Sequence, residues 1–169
     1  LTTPDGQGQL GALNLDTVGQ VEFLRGPFSA LYGNSSGGVV QVITRDGAKT
    51  PTLTGGITFG SYNTRREVLT LEGQQADVNY IVSASQITSD GYRDHSEYRK
   101  DNFNSKISFN LNEDTKLTLV ANYMNQHYTD DPQALTPTQF KTDSKQAKAD
   151  SYTGNTRVIR DQTYGGFTL

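Results

Sequence analysis

The chain of 169 residues contains no cysteine and only two histidines. Without thiols it can form neither a disulfide framework nor a thiolate metal site. His95 and His127 lie far apart in the sequence, and neither belongs to a helical carboxylate–histidine pattern. We therefore expect no metal centre and no cofactor.

Long apolar runs are also absent. No stretch approaches the roughly 18 consecutive apolar residues of a membrane-spanning helix, so any membrane crossing would have to be made by strands. The mean hydropathy of −0.62 is compatible with strands whose every second residue faces water. The net charge is −3, which argues against a nucleic-acid partner.

Catalytic patterns are missing as well. The glycines after Ser35 and Ser36 are not followed by the lysine of a phosphate-binding P-loop. The sequence offers no combination of nucleophile, base and orienting residue. We therefore expect a protein that is not an enzyme.

The most informative segment is residues 21–47. Its pattern predicts a strand, a turn, a small amphipathic helix and a second strand, at 21–24, 25–27, 28–32 and 39–44. Pro27 suits the first position of the helix and Gly33 its left-handed cap. Gly37 and Gly38 permit a tight bend before the second strand. Pattern alone thus indicates a compact strand-turn-helix-strand unit.

After residue 51 the sequence changes to a period of two. Phe103, Ile107 and Phe109, for example, alternate with polar residues, which is the pattern of a strand with one apolar and one polar face. Ile81, Val120 and Met124 interrupt the alternation. Six strands are predicted, at about 52–60, 64–72, 78–89, 99–111, 115–128 and 161–169.

Alternation alone fits a soluble antiparallel sandwich as well as a membrane barrel. The connections favour the barrel, because the short ones at 73–77 and 112–114 alternate with longer ones at 90–98 and 129–160. The link at 61–63 is shorter than this trend predicts. Predicted strands also exceed the usual soluble length of about 5 to 6 residues.

The segment from Val21 to Thr44 resembles the C-terminal end of the plug domain of TonB-dependent outer-membrane receptors. Its V-E-x-L-R-G-P begins at Val21, its S-A-L-Y-G at Ser29 and its G-G-V-x-x-x-I-T at Gly37. The resemblance implies an all-β fold with a small α/β plug remnant, as a fragment of a transmembrane antiparallel β-barrel with about six of roughly 22 strands. Residues 1–47 would end the plug domain, and residues 48–169 would begin the barrel.

The same resemblance implies roles for particular residues. Arg25, with Glu22 beside it, would belong to an ion-pair cluster between the plug and the inner barrel wall, and the barrel partners of Arg25 would lie beyond residue 169. Turn and helix-cap positions of the plug are Gly26, Pro27, Gly33, Gly37 and Gly38. A guanidinium suits such a lock, because it makes bidentate contacts with carboxylates.

The implied function is energy-coupled uptake across the outer membrane of a Gram-negative bacterium. TonB and its inner-membrane complex would act through a part of the protein upstream of this chain, and outer-membrane lipid would surround the barrel. The motifs FSALYGNSSGGV, GYRDHS and ALTPTQF are most similar to the branch with receptors for ferric-citrate-type siderophores and for pyrroloquinoline quinone. Tyr92, Arg93 and His95 are the candidate ligand-binding residues of the external loops, where ordinary solvated loops are the alternative.

Two other functions remain open from the sequence. A passive porin-like channel or an adhesin would show similar alternation, although it would have no use for a plug signature. A truncated gene product without activity is the third reading. We expect an export signal upstream and the remaining barrel strands downstream.

Overall fold

The computed structural model describes residues 14–26 and 37–169. These residues form two antiparallel sheets. The smaller sheet pairs β1 (Val18–Arg25) with β2 (Gly38–Thr44), after a 3₁₀ turn at Leu15–Thr17. The larger sheet contains β3 (Thr52–Gly60), β4 (Thr64–Gln75), β5 (Val78–Ser89), β6 (Tyr98–Asn110), β7 (Lys116–Asp130) and β8 (Arg157–Thr168).

The two strands expected in the first segment are confirmed. They are longer than expected and pair directly, with Val21 opposite Val42 and Arg25 opposite Gly38. The predicted helix between them, with Pro27 and Gly33, lies outside the described residues.

The six-stranded sheet follows chain order, and each strand pairs with the next. The predicted bounds of β3 and β5 match those observed, and those of β6 and β7 differ by one or two residues. The expected five-residue turn after β4 is wrong, because Gly73 and Gln75 continue the ladder opposite Tyr80 and Val78. Only residues 76 and 77 remain as the turn, and Ala76 has a φ of 50° there.

The long connection before β8 is structured rather than a plain loop. It contains α1 (Pro137–Thr142) and α2 (Ala149–Gly154). Thr136 and Gln139 form a capping box at the start of α1, with Pro137 in its first turn. The strand predicted from residue 161 begins at Arg157, where it pairs with Asp130 of an extended β7. Among the described residues, no helix is long and apolar enough to cross a membrane.

The six-stranded sheet reverses the burial expected of a soluble protein. One side, here called the polar face, includes Thr70, Glu72, Ser83, Ser89 and Ser108, all at most 9% exposed. The opposite side, the apolar face, carries large side chains that are each at least 38% exposed: Leu53, Ile57, Phe59, Leu69, Leu71, Phe103, Leu119, Tyr123 and Phe167. The register confirms that these residues, from five of the six strands, share one side of the sheet.

Candidate functional site

The polar face is partly covered by the residues around the small sheet. We call residues 14–26 and 37–48 the hairpin unit. Its 3₁₀ turn lies against β5, and the backbone N–H of Arg45 donates to the carbonyl of Thr17 at 2.9 Å. Asn14 caps the turn by accepting from the N–H of Asp16 at 3.0 Å. The two ends of the hairpin unit are thereby held together over the sheet.

Two ion pairs join the hairpin unit to β4. Both terminal nitrogens of the Arg45 guanidinium donate to the carboxylate of Glu72, and Nη2 lies 3.1 Å from Oε1. In the second pair the charges are exchanged, because the arginine is on the sheet and the carboxylate is on the hairpin unit. Arg66 Nη2 lies 2.5 Å from both carboxylate oxygens of Asp16. The Glu72 side chain is only 12% exposed. Side chains of β4 point alternately to the two faces of the sheet, so Arg66 and Glu72, which are six residues apart, both extend from the polar face.

A third ion pair joins the hairpin unit to β6. Lys106 Nζ lies 2.8 Å from Asp46 Oδ1 and donates to the carbonyl of Thr44 at 2.9 Å. The hydrogen bond from Lys106 lowers the pKa of the Asp46 carboxyl from its ordinary value. Asp46 is therefore held as a carboxylate beside the ammonium group.

An uncharged contact lies between these pairs. The Asn79 side chain on β5 accepts from the N–H of Gly47 at 2.8 Å and donates to its carbonyl at 3.0 Å. A Cβ at Gly47 would lie 2.0 Å from the carbonyl oxygen of Tyr80, so only glycine fits. The N–H of Ala48 also donates to Glu72, at 3.3 Å. The backbone thus approaches the sheet closely between the charged anchors.

Together these contacts can hold and release the hairpin unit. Charged, partly solvated pairs can separate at lower cost than fully buried ones, because water rehydrates the charges. In the described ranges, no group of three or more histidine or acidic side chains is arranged to hold a metal ion. The contacts at this site dock the hairpin unit on the sheet.

The predicted lock residues lie elsewhere. Arg25 ends β1 with an exposed side chain, and Glu22 accepts a hydrogen bond from Gln20 on the same strand at 2.8 Å. Within the described ranges, the structure shows no ion pair from either side chain to the six-stranded sheet. Their lock role remains a prediction.

Two of the predicted turn glycines have unusual backbone angles. Gly26 follows β1 with a φ of 121°, and Gly38 starts β2 with a φ of 140°. Gly37 lies beside them with open space around its Cα. Both positive angles favour glycine.

The anchors that the structure brings together were not predicted from the sequence. Arg66, Glu72 and Lys106 are charged residues on the polar side of alternating strands, which was the available signal. Their partners lie close to the ends of strands: Asp16 stands shortly before β1, and Arg45 and Asp46 directly follow β2. Alternation identifies the face on which each charge lies. It cannot identify the partners, because the Arg45–Glu72 pair spans 27 residues, the Asp16–Arg66 pair spans 50, and the Asp46–Lys106 pair spans more still.

A second group of contacts organises the loops at the other end of the sheet. Residues 90–97 and 131–156 are called the paired loops. The Arg93 guanidinium donates to the carbonyls of Pro132, Gln133 and Gln146, at 2.7 to 3.1 Å. Arg93 therefore fastens one loop to the backbone of the other.

His95 and Tyr92 lie in the same region. His95 Nε2 is 3.0 Å from the carbonyl oxygen of Thr156, and its ring is nearly buried. The Tyr92 hydroxyl lies 2.7 Å from Ser144 Oγ, while the residue remains 46% exposed. Tyr92 and Phe140 line a shallow cavity of about 490 Å³. Of the three predicted ligand residues, Tyr92 presents the most accessible surface.

No protein-family model matches the chain. It is similar to the metal-pseudopaline receptor CntO of Pseudomonas aeruginosa PAO1, with 27% identity over 135 residues, or 78% of this chain. The CntO protein of strain UCBPP-PA14 is 26% identical over the same length. The chain spans about a fifth of the length of these relatives (19%). Both relatives are named as receptors, which supports a segment of a receptor rather than an enzyme.

Proposed function

We propose that this chain forms the junction of plug and barrel in a TonB-dependent outer-membrane receptor. The observation that supports this most strongly is the reversed polarity of the sheet, combined with the charged hairpin unit on its polar face. In such a receptor the apolar face contacts lipid and the polar face lines the lumen. Residues 1–47 are the end of the plug domain, and residues 48–169 are the first part of the barrel.

The edge of the membrane follows from the register of the apolar face. Apart from Ser105, residues with apolar or aromatic side chains occupy this face of β5 to β7 up to Ala84, Phe103 and Tyr123. The next transverse row is polar in every strand from β4 to β8: Glu67, Gln86, Asp101, Asn125 and Asp161. Polar side chains cannot remain unpaired in hydrocarbon, so this row lies at the headgroups of outer-membrane lipid. The paired loops then face the outside of the cell.

The ligand is a scarce small molecule taken up from outside. The resemblance in the loops points to a ferric siderophore or pyrroloquinoline quinone, and the name of the relatives adds the metal complex of pseudopaline. In this proposal Tyr92 contacts the ligand, and Arg93 and His95 hold the paired loops in position. Arg25 and Glu22 would complete a plug lock with barrel strands outside this chain.

A plug distinguishes this function from a passive channel. A porin-like protein or an adhesin has no need of a separate unit that is anchored by three ion pairs to the polar face. Energy coupling requires TonB and its inner-membrane partners, which would pull on the upstream part of the plug. The anchors described above would then be among the contacts that loosen during transport.

Uptake by the full-length protein tests the proposal. Cells that produce it would be supplied with a radiolabelled metal chelate or labelled pyrroloquinoline quinone, with and without a protonophore. We expect accumulation of one ligand that stops when the protonophore collapses the membrane potential. Accumulation that is equally fast in treated cells and does not saturate would establish a passive channel instead.

A further inference from the structure

Three segments of the chain bring exposed aromatic side chains to the loop end of the sheet. Tyr62 lies in the turn between β3 and β4, Tyr92 in the first of the paired loops and Phe140 on α1. Each of them is between 46% and 59% exposed. The rings of Tyr62 and Tyr92 meet edge to face, with their centroids 5.6 Å apart.

Tyr92 and Phe140 line the cavity between the paired loops. Its volume of about 490 Å³ lies within the usual range of small-molecule sites, about 300 to 1,000 Å³. The described residues that line it are Tyr92, Arg93, Leu135, Pro137, Phe140 and Ser144. Four of these six have apolar or aromatic side chains, and the hydroxyl groups of Tyr92 and Ser144 lie within hydrogen-bond distance of each other. The wall is therefore suited to the faces of an apolar ring.

Hydrogen bonds fix the walls of this cavity. Arg93 holds the first loop to three carbonyls of the second. The Gln146 side chain donates to the carbonyl of Gln139 at 2.7 Å and to that of Asp143 at 3.0 Å, which fastens the end of α1. A preformed site binds more tightly, because fewer groups have to be ordered when the ligand arrives.

The position of the rings distinguishes them from a membrane belt. Aromatic residues are also common where a membrane protein crosses the headgroups. In the proposed placement, however, the headgroups lie at the row that contains Glu67. Thr64 begins β4 three residues before Glu67, which corresponds to about 10 Å of strand, and Tyr62 lies beyond Thr64. The rings at this end therefore face water outside the membrane.

Arg93 gives the cavity its charge preference. Of the described residues that line the cavity, Arg93 alone is charged. Its N–H groups bond to backbone carbonyls, which are neutral and leave the positive charge of the guanidinium in place. Aromatic side chains contact other rings favourably, and a guanidinium attracts both anions and the faces of rings.

We propose that Tyr92 and Phe140 bind a small aromatic molecule that carries an anionic group. Tyr62 supports the Tyr92 ring from the neighbouring turn, and Arg93 supplies the attraction for the anionic group. The site deepens the proposed function and rests on it, because the paired loops must face the outside of the cell. It selects, among scarce small molecules, those that combine a planar ring with an acid group.

Fluorine-19 NMR of 4-fluorobenzoate measures the site without knowledge of the natural ligand. The probe is titrated with the full-length protein in detergent micelles, and cyclohexanecarboxylate serves as the non-aromatic competitor of similar size and charge. We expect saturable binding of 4-fluorobenzoate, from which cyclohexanecarboxylate displaces it several times less well than unlabelled benzoate. Absence of saturable binding would overturn the proposal. Equal displacement by the two competitors would show an apolar cavity without preference for rings, which would overturn it as well.

Variants that keep an apolar side chain but remove the ring locate the binding. Phe140→Leu and Tyr92→Leu should each weaken binding about three- to tenfold, because one ring contact is lost. Phe59→Leu removes an exposed ring from the apolar face and should leave binding unchanged. Amide hydrogen exchange across residues 131–148 checks that the loops stay folded. An equal loss in Phe59→Leu would place the probe in the detergent shell, and unchanged binding in both loop variants would remove the site.

A neutral probe tests the preference for an anion. 4-Fluorobenzyl alcohol has the same ring without the charge, and we expect it to bind severalfold more weakly than 4-fluorobenzoate. Equal binding would overturn the choice of an anionic ligand. Protonophore-sensitive uptake by a protein that binds neither probe would overturn this site alone. Ring binding by a protein whose uptake ignores the protonophore would contradict the proposed function alone.

Discussion

Gly47 lies where a side chain has no room. Its N–H and carbonyl both bond to Asn79, and an added Cβ would overlap the carbonyl oxygen of Tyr80. We expect Gly47→Ala to destabilise docking of the hairpin unit by about 1 to 3 kcal/mol, as overpacked sites do. Limited proteolysis of the full-length protein would measure docking. Gly37→Ala is the matched control, because its Cα faces open space. Equal protease resistance of both variants would contradict the assigned contact.

The Arg45–Glu72 pair should contribute more than an exposed pair. The Glu72 carboxylate is 12% exposed, whereas the Arg65–Glu67 pair on the apolar face is 56% and 41% exposed. A double-mutant cycle on Arg45 and Glu72 should give a coupling of about 1 to 3 kcal/mol. The same cycle on Arg65 and Glu67 should give at most about 0.5 kcal/mol. Protease susceptibility in increasing denaturant supplies both values, and similar couplings would argue against an anchor.

Acid should loosen the Asp46–Lys106 contact. The pKa of Asp46 is lowered by the hydrogen bond from Lys106. A carboxyl with a depressed folded-state pKa stabilises the docked state above its unfolded pKa, and this contribution is lost as the pH falls through the folded value. Docking should therefore be constant from pH 7 to 5 and weaken below about pH 4. Asp46→Asn should remove the loss of docking below about pH 4 that protonation of Asp46 causes. If docking of this variant depends on pH as in the unmodified protein, the contact does not act through the Asp46 carboxylate.

At the scale of strands, the alternation of apolar and polar residues predicts which face of the sheet most side chains occupy. The residues that interrupt the alternation show where the sheet is covered. Ile81 interrupts the polar side of β5, and the structure places it there fully buried, on the strand that the 3₁₀ turn contacts. An apolar residue on the polar face is thus explained by cover from another segment. Alternation could not predict that cover, because the covering residues lie more than 60 positions earlier in the chain.

The ends of strands were harder to predict than their centres. Gly73, Gln74 and Gln75 have turn-like composition, yet the ladder to β5 continues through them. The start of β8 was missed because residues 157–160 lack alternation and are held by pairing to β7. The same holds for the anchor residues of the sheet. The period of two predicts the face on which each of them lies, but only the tertiary structure shows its partner.

The paired loops should behave as one unit that depends on Arg93. Its four hydrogen bonds reach three carbonyls of the second loop. We expect Arg93→Ala to raise amide hydrogen exchange at least tenfold across residues 131–148, because those bonds restrain the backbone. Lys141→Ala, at an exposed position of α1, is the control. Exchange that stays slow after loss of Arg93 would show that the helices alone order the loop.

At the scale of the molecule, the polarity of the two sheet faces, the docked hairpin unit and the paired loops all fit one arrangement. A sheet with an exposed apolar face and a polar face under a charged unit is unfavourable in water, where large apolar surfaces are normally buried. The same sheet is favourable as part of a membrane wall around a wet lumen. Its relatives are receptors several times longer than this chain, which fits a segment of such a wall.

The most direct test measures whether successive residues along β7 face lipid or water, in the full-length protein embedded in outer membrane. Spin labels at positions 117–123 would report accessibility to oxygen, which concentrates in lipid, and to a water-soluble nickel complex. We expect higher oxygen accessibility at Leu117, Leu119, Ala121 and Tyr123 than at the residues between them, with a period of two. An inverted period, or equal accessibility to the nickel complex on both faces, would contradict the placement of the apolar face in the membrane.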